Sequence, residues 1–143
     1  MGKDQLTHPT PNPELGIRLM AEPEAALSSG SLRLYAMLQN STTPVGALDL
    51  YAYDPLNRRC AVGIMVANNY RRQGIALAML HQAADIARTT YHLHQLYADV
   101  AAPNTASLAL FQKAGYTPCG HFAQWLATDD TYTDTIRLQH LLP

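Results

Sequence analysis

Large apolar residues dominate Leu32-Arg33-Leu34-Tyr35-Ala36-Met37-Leu38, a run whose length and composition predict a β-strand. A polar turn follows at 40–43. Residues 45–53 repeat the strand signature and stop at Asp54-Pro55-Leu56-Asn57, a turn with proline at a favoured position. Arg59 to Val66 then reads as the antiparallel neighbour, so the first half is a meander. The period changes after Asn68. Ile75, Met79, Ala83 and Ile86 recur at helical spacing with Leu80, Ala84 and Ala87 beside them, which predicts a helix from about Arg72 to Arg88 with one broad apolar stripe. Residues 94–100 form another strand, and 104–114 a second helix closed by Gly115, a residue suited to a left-handed cap. Two last strands, 116–126 and 132–141, flank a polar loop and close as an antiparallel pair.

Strands on both sides of a β-α-β-α unit predict an α+β fold with a mixed, mostly antiparallel sheet. Before it, residues 1–30 hold four of the nine prolines and read as a loose lead-in, with 15–20 as a short strand or helical turn. Residues 31–143 form the domain proper. The chain of 143 residues suffices for one buried core. Apolar residues at 48% and charged ones at 15% exclude a disordered or collagen-like chain.

A net charge of −1 gives no global attraction for nucleic acid or an anionic membrane. No run reaches the roughly 18 apolar residues of a membrane helix, and Lys3, Asp4 and the prolines interrupt any signal-peptide core, so the chain reads as cytoplasmic. Cys60 and Cys119 fit no metal-ligand spacing and are expected to be buried free thiols. His92 and His94 alternate onto one face, yet no third ligand stands at a useful spacing, so no metal is expected.

The candidate chemistry lies at the start of the long helix. Between Asp54 and Asp85 there is no acidic residue, while Arg58, Arg59, Arg71 and Arg72 all fall there. Arg71-Arg72-Gln73-Gly74-Ile75-Ala76 follows a strand directly and opens the helix. The first amides of a helix lack internal partners and sit at the positive end of its dipole, which suits phosphate oxygens, and Gly74 removes a side chain that would block their approach. Neither G-x-x-x-x-G-K-[ST] nor G-x-G-x-x-G follows any strand, so ATP and dinucleotide sites are disfavoured.

That hexapeptide matches [RQ]-x-x-G-x-[GA], the signature of the GCN5-related N-acetyltransferase superfamily. Asn104 to Gly115 followed by Tyr116 resembles the same superfamily's N-x-x-[SA]-…-F-x-K-x-G-[FY] helix. The stretch from Asp54 to Ile64 is similar to the strand pair of the branch that contains spermidine and ribosomal-protein N-acetyltransferases, and the likeness covers roughly 31–142. The resemblance implies splayed central strands and an acetyl-coenzyme A site between them. Ile64, Met65 and Val66 would offer backbone groups to the pantetheine arm and thioester, Arg71 to Ala76 would cradle the pyrophosphate, and Asn104 would bond the arm near the thiol. It further implies direct transfer of acetyl to a primary amine, on a polyamine-like small molecule or a protein.

Asn104, Ser107 and Phe111 share one helical face by spacing. Many relatives carry a tyrosine acid where Phe111 stands, so Ser107 is the candidate substitute. A glutamate common on the preceding strand is replaced by Ala61, which leaves Asp99 and Asp49 as carboxylates able to act through water. Lys113 reads as a solvated lysine with a phosphate contact as the sharper alternative. Trp125 and Tyr132 read as core or hairpin packing that borders the acceptor groove. Relatives carry a first strand and two helices before the strand at Leu32, where this sequence offers only about thirty residues, so either 15–20 supplies a reduced first strand and the helices are missing or the chain is a shortened form. One side of the groove is then expected to be open, or covered by a second subunit as in a homodimer. A competing reading is a non-catalytic acetyl-coenzyme A-binding module that has lost its acceptor site.

Overall fold

The computed structural model of the chain describes residues 16–39, 41–72 and 74–143. Its sheet runs β1 (Arg18–Ala21), β2 (Leu32–Met37), β3 (Pro44–Asp54), β4 (Arg59–Val66), β5 (Gln95–Ala101), β6 (Thr117–Thr128) and β7 (Thr131–Leu141). Helix α1 (Ile75–Thr89) lies between β4 and β5, and α2 (Thr105–Lys113) between β5 and β6. The strand order is β1-β2-β3-β4-β5-β7-β6. Among the described strands only β4 and β5 are parallel, as a helical crossover requires, and the expected mixed α+β architecture is borne out.

Both helices pack on one face of the sheet. Alternate residues of the central strands point into that layer, so Leu34, Leu48, Leu50, Cys60, Leu96 and Leu138 share a core with Met79 and Ile86 of α1 and Phe111 of α2. Among the described residues no helix covers the opposite face, which carries Arg33, Asp49, Met65, Asp99 and Arg137.

The segment expected to be a loose lead-in is partly built into this core. Ile17, Leu19 and Leu27 are fully buried, and β1 pairs with β2 along its whole length. Gln82 of α1 donates to the Ile17 carbonyl at 2.6 Å and so ties the strand to the helix layer. Between β1 and β2 stands a single 3-10 turn, Leu27–Ser29, and no α-helix, in line with the short spacing of the sequence.

Two expectations about side chains change. Cys60 is buried and free as expected, but Cys119 is free and exposed, because β6 is an edge strand with most of its residues in solvent. Trp125 and Tyr132, read as packed, are 62% and 65% exposed. Trp125 lies within the register shift between Phe122 and Leu126 and only stacks on Phe122 at 5.0 Å, while Tyr132 lies beyond it at the hairpin end of β7. Burial pushes the Cys60 thiol up to about 12, so it stays protonated and unreactive at neutral pH. A thiol reagent is therefore expected to label one cysteine per native chain and two in denaturant, with Cys119→Ser abolishing the native signal; two fast thiols in the native state would contradict this burial.

Candidate functional site

The parallel pairing of β4 and β5 covers only Arg59↔Gln95, Cys60↔Leu96 and Ala61↔Tyr97, and beyond it the two strands part. The Ala67 amide donates to the Val45 carbonyl at 2.8 Å, which fixes the odd residues of β4 as those bonded to β3. The backbone groups of Ile64 and Val66 therefore face the fork, without a ladder partner in β5. Met65 does not, since its backbone is used by the β3 ladder and its side chain, 62% exposed, stands on the uncovered face. Of the three residues expected to bind through their backbones, two are aimed at the opening. Arg71 Nε donates to the Val66 carbonyl at 3.2 Å, so the Val66 group left for a ligand is its N–H.

Two cavities flank this stretch of β4. One, of about 230 Å³, brings Ile64 and Asp99 together with Asn104 and Ser107 of α2, and Gly63 and Phe111 also line it. Asn104 caps α2, its Oδ1 accepting from the Ser107 amide at 3.1 Å, so a hydrogen bond to a pantetheine arm would come from the Nδ2 donor. Phe111 is only 3% exposed and packs edge-on to Tyr116 at 5.0 Å, a core role that offers no proton.

The second cavity, of about 240 Å³, gathers Val66, Arg71, Arg72, Gly74, Ile75 and Ala76, and Lys113 reaches it from the end of α2. Sequence reasoning undervalued Lys113, because only the packing of α2 against α1 brings the two helix ends together. Helix α1 begins at Ile75 and not at Arg72. Arg72 and Gly74 adopt left-handed φ angles of 64° and 80°, which no α-helix accommodates. Gly74 is the N-cap, no side chain caps the helix, and its first turn holds no acidic residue. The amides of the first turn thus lack protein partners and face the arginine-lined cavity. Gln73 lies outside the described residues.

The remaining candidates are engaged. Arg137 grips both oxygens of Asp99, at 2.8 and 2.9 Å, and its guanidinium lies 4.5 Å over the Tyr97 ring. Arg33 holds Asp49 in the same bidentate way, at 2.7 and 2.8 Å. Neither arginine was singled out from sequence, where partners 38 and 16 residues away carry no local signal.

The Acetyltransferase (GNAT) family model matches residues 5–116. The chain belongs to that family. It is 24% identical over 94 residues to the spermidine N(1)-acetyltransferase of Vibrio cholerae serotype O1, covering 66% of this chain and 54% of that protein. The chain therefore spans about half the length of this curated relative. Among solved structures, the spermidine N-acetyltransferase of Vibrio cholerae in complex with CoA and spermine superposes with a TM-score of 0.76 at 22% identity, over 80% of this chain and 68% of that one. A dodecameric structure of the same enzyme, in an intermediate state, gives 0.74 over 79% and 66%. At this identity the superpositions establish a shared GNAT fold.

Proposed function

We propose that this GNAT protein transfers acetyl from acetyl-coenzyme A to a primary amine, polyamine-like or on a protein, by direct attack. The fork between β4 and β5 carries the reading. It exposes the Ile64 and Val66 backbone between a cavity at Asn104 and Ser107 and another at the start of α1. The donor set fits the cosubstrate. Unpartnered amides with Arg71, Arg72 and Lys113 suit a diphosphate, and charge-assisted hydrogen bonds of roughly 1.5–3 kcal/mol each give micromolar affinity from only a few contacts. Acetyl-coenzyme A supplies the acetyl group as a thioester; the Val66 N–H is the donor for negative charge that develops on its carbonyl oxygen.

An alkylamine has a pKa near about 10.4 and must lose a proton before its nitrogen can attack. Asp99 is the carboxylate at the fork and takes that proton through water, with Arg137 fixing its orientation. The nitrogen–carbon bond forms as the carbon–sulfur bond breaks, and the Ser107 hydroxyl relays the second amine proton, taking it from the nitrogen as it gives its own to the departing sulfur. A thiol with a pKa near that of free cysteine, about 8.5, leaves without much assistance, so buried Phe111 in place of a tyrosine acid is compatible with turnover. The polyamine class is supported by the likeness to a spermidine N(1)-acetyltransferase, and an assembly of several copies by the likeness to a dodecamer.

A second reading, a non-catalytic binding module, is favoured by two observations: Phe111 is walled into the core, and both candidate carboxylates are clamped by arginine. Release of coenzyme A thiol across a panel of polyamines and peptide N-termini decides between them. Amine-dependent release is expected. A clear thermal shift by acetyl-coenzyme A with no turnover on any amine would establish the module instead.

A further inference from the structure

Strand register aligns a cross-strand row on the uncovered face: Arg33 opposite Asp49, Asp49 opposite Gly63, and Asp99 opposite Arg137. Extending the parallel register of 59↔95 and 61↔97 sets Gly63 level with Asp99 across the fork. One row along, Tyr51 lies opposite Ala61, and Ala61 opposite Tyr97. The middle strand thus offers only Ala61 and Gly63 between larger side chains on β3 and β5; Ala61 is covered, at 1% exposed, and the face sinks into a trough at half-buried Gly63. A Cβ at Gly63 would already touch Tyr51 Cε1 at 3.6 Å, so the tyrosine ring forms the trough's wall. Gly63 and Asp99 also line the cavity that holds Asn104 and Ser107, so the trough meets that cavity at the fork.

We propose that this trough seats the acceptor as a polycation, with one ammonium on Asp49 of β3 and the reacting amine beside Asp99 at the fork. The assignment rests on the acetyltransferase reading and adds to it the acceptor's charge pattern and the residues that select it. Three features support it. A carboxylate offers about four lone-pair sites, and each arginine clamp uses two, so both aspartates keep acceptor capacity for an ammonium while their orientation is fixed. Asp49 and Asp99 stand on strands that are two ladder spacings apart where β4 and β5 pair and farther apart past Ala61↔Tyr97, so at least about 10 Å separates them, a span that a linear polyamine bridges and a monoamine does not. Tyr51 feels both charges. Burial, then Asp99, with a smaller share from Asp49, push its phenol upward, which keeps it a neutral hydroxyl between the two carboxylates.

The test is calorimetric titration of spermidine and of n-butylamine into the full chain saturated with coenzyme A, at about 0.15 M salt to suppress diffuse attraction. A first arm, the thermal shift by coenzyme A alone, reports on the cosubstrate site and so separates failure of the acetyltransferase reading from failure of this one. Spermidine is expected to bind wild type at least about tenfold more tightly than butylamine. Asp49→Asn is expected to remove that advantage while the coenzyme A shift persists, and Asp49→Glu to restore most of it. Asp49 is partly exposed, so its surface ion pair with Arg33 contributes little to folding and the neutral variant folds. Equal binding of the two amines, or full spermidine affinity in Asp49→Asn with the shift intact, overturns the proposal; so does a chain that binds coenzyme A and neither amine.

Discussion

Gly74→Val is expected to raise the dissociation constant for coenzyme A by about tenfold or more, a loss of about 1.4 kcal/mol, while the chain still folds. The backbone at Gly74 sits at φ 80°, and a Cβ there would meet no atom within 4 Å. The cost to the free protein is thus conformational rather than steric, roughly 1–2 kcal/mol for an L-residue in the left-handed region and somewhat more for a β-branched one. The space that is empty in the free chain is the approach to the first amides of α1, which neither a capping side chain nor an acidic residue occupies. A valine side chain fills it and keeps phosphate oxygens outside hydrogen-bonding range. Gly74→Ala separates the two contributions, since it carries most of the backbone cost with little of the bulk. Calorimetric titration beside a melting curve reads both. An unchanged dissociation constant in the valine variant would falsify the placement of the diphosphate at this helix start.

How far the chain could be read without its structure depended on the range of each interaction. Strand β4 was legible to the residue, Arg59–Val66, because a proline turn precedes it and the hydrophobic period changes after it. For helix α1 the sequence predicts a start at about Arg72, three residues before Ile75. Its apolar stripe is local, but the left-handed turns at Arg72 and Gly74 answer to φ angles that composition does not encode. The fork and the roles proposed for Ile64, Val66 and Asn104 around it rest on family resemblance, while Ser107 enters through its helical spacing from Asn104 and Phe111. Of Ile64, Met65 and Val66, Met65 turns its backbone to β3 and not to the gap, because which groups face the gap depends on the β3 register. The clamps Arg33–Asp49 and Arg137–Asp99 were invisible for the same reason. Each joins strands whose alignment is a property of the whole sheet. Apolar residues on a strand usually pack, which is why the sequence predicts packing for Cys119, Trp125 and Tyr132; Cys119 and Trp125 instead lie on a twelve-residue edge strand, open along one side, and Tyr132 at the hairpin end of β7, placements that the strand order discloses.

Leu96→Ala carries the largest expected loss of stability, because it strikes the root of the fork. Leu96 is completely buried and is the middle of the three β4–β5 pairs, opposite Cys60, which is equally buried. Antiparallel pairing with His140 fixes its other side. No fourth pair follows, so the β4–β5 junction holds through these three residues and the side chains stacked beneath them. Truncation leaves a cavity in the helix-covered layer and costs about 2–5 kcal/mol, a large part of the roughly 5–15 kcal/mol that a domain of this size possesses. At roughly 3–5 °C per kcal/mol for a chain of this length, the melting temperature falls by about 6–25 °C. Leu141→Ala, at a side chain 58% exposed, is the control and is expected to stay within about 0.5 kcal/mol of wild type. Coenzyme A at about a hundred times its dissociation constant returns about 2.7 kcal/mol to any variant whose site survives. In the proposed arrangement the ligand spans the arms of the fork while Leu96 lies at its base, so the variant is expected to recover less than this. A loss below about 1 kcal/mol, or a full ligand-induced recovery, would show that the fork is held open by something other than the Leu96–Cys60 pair.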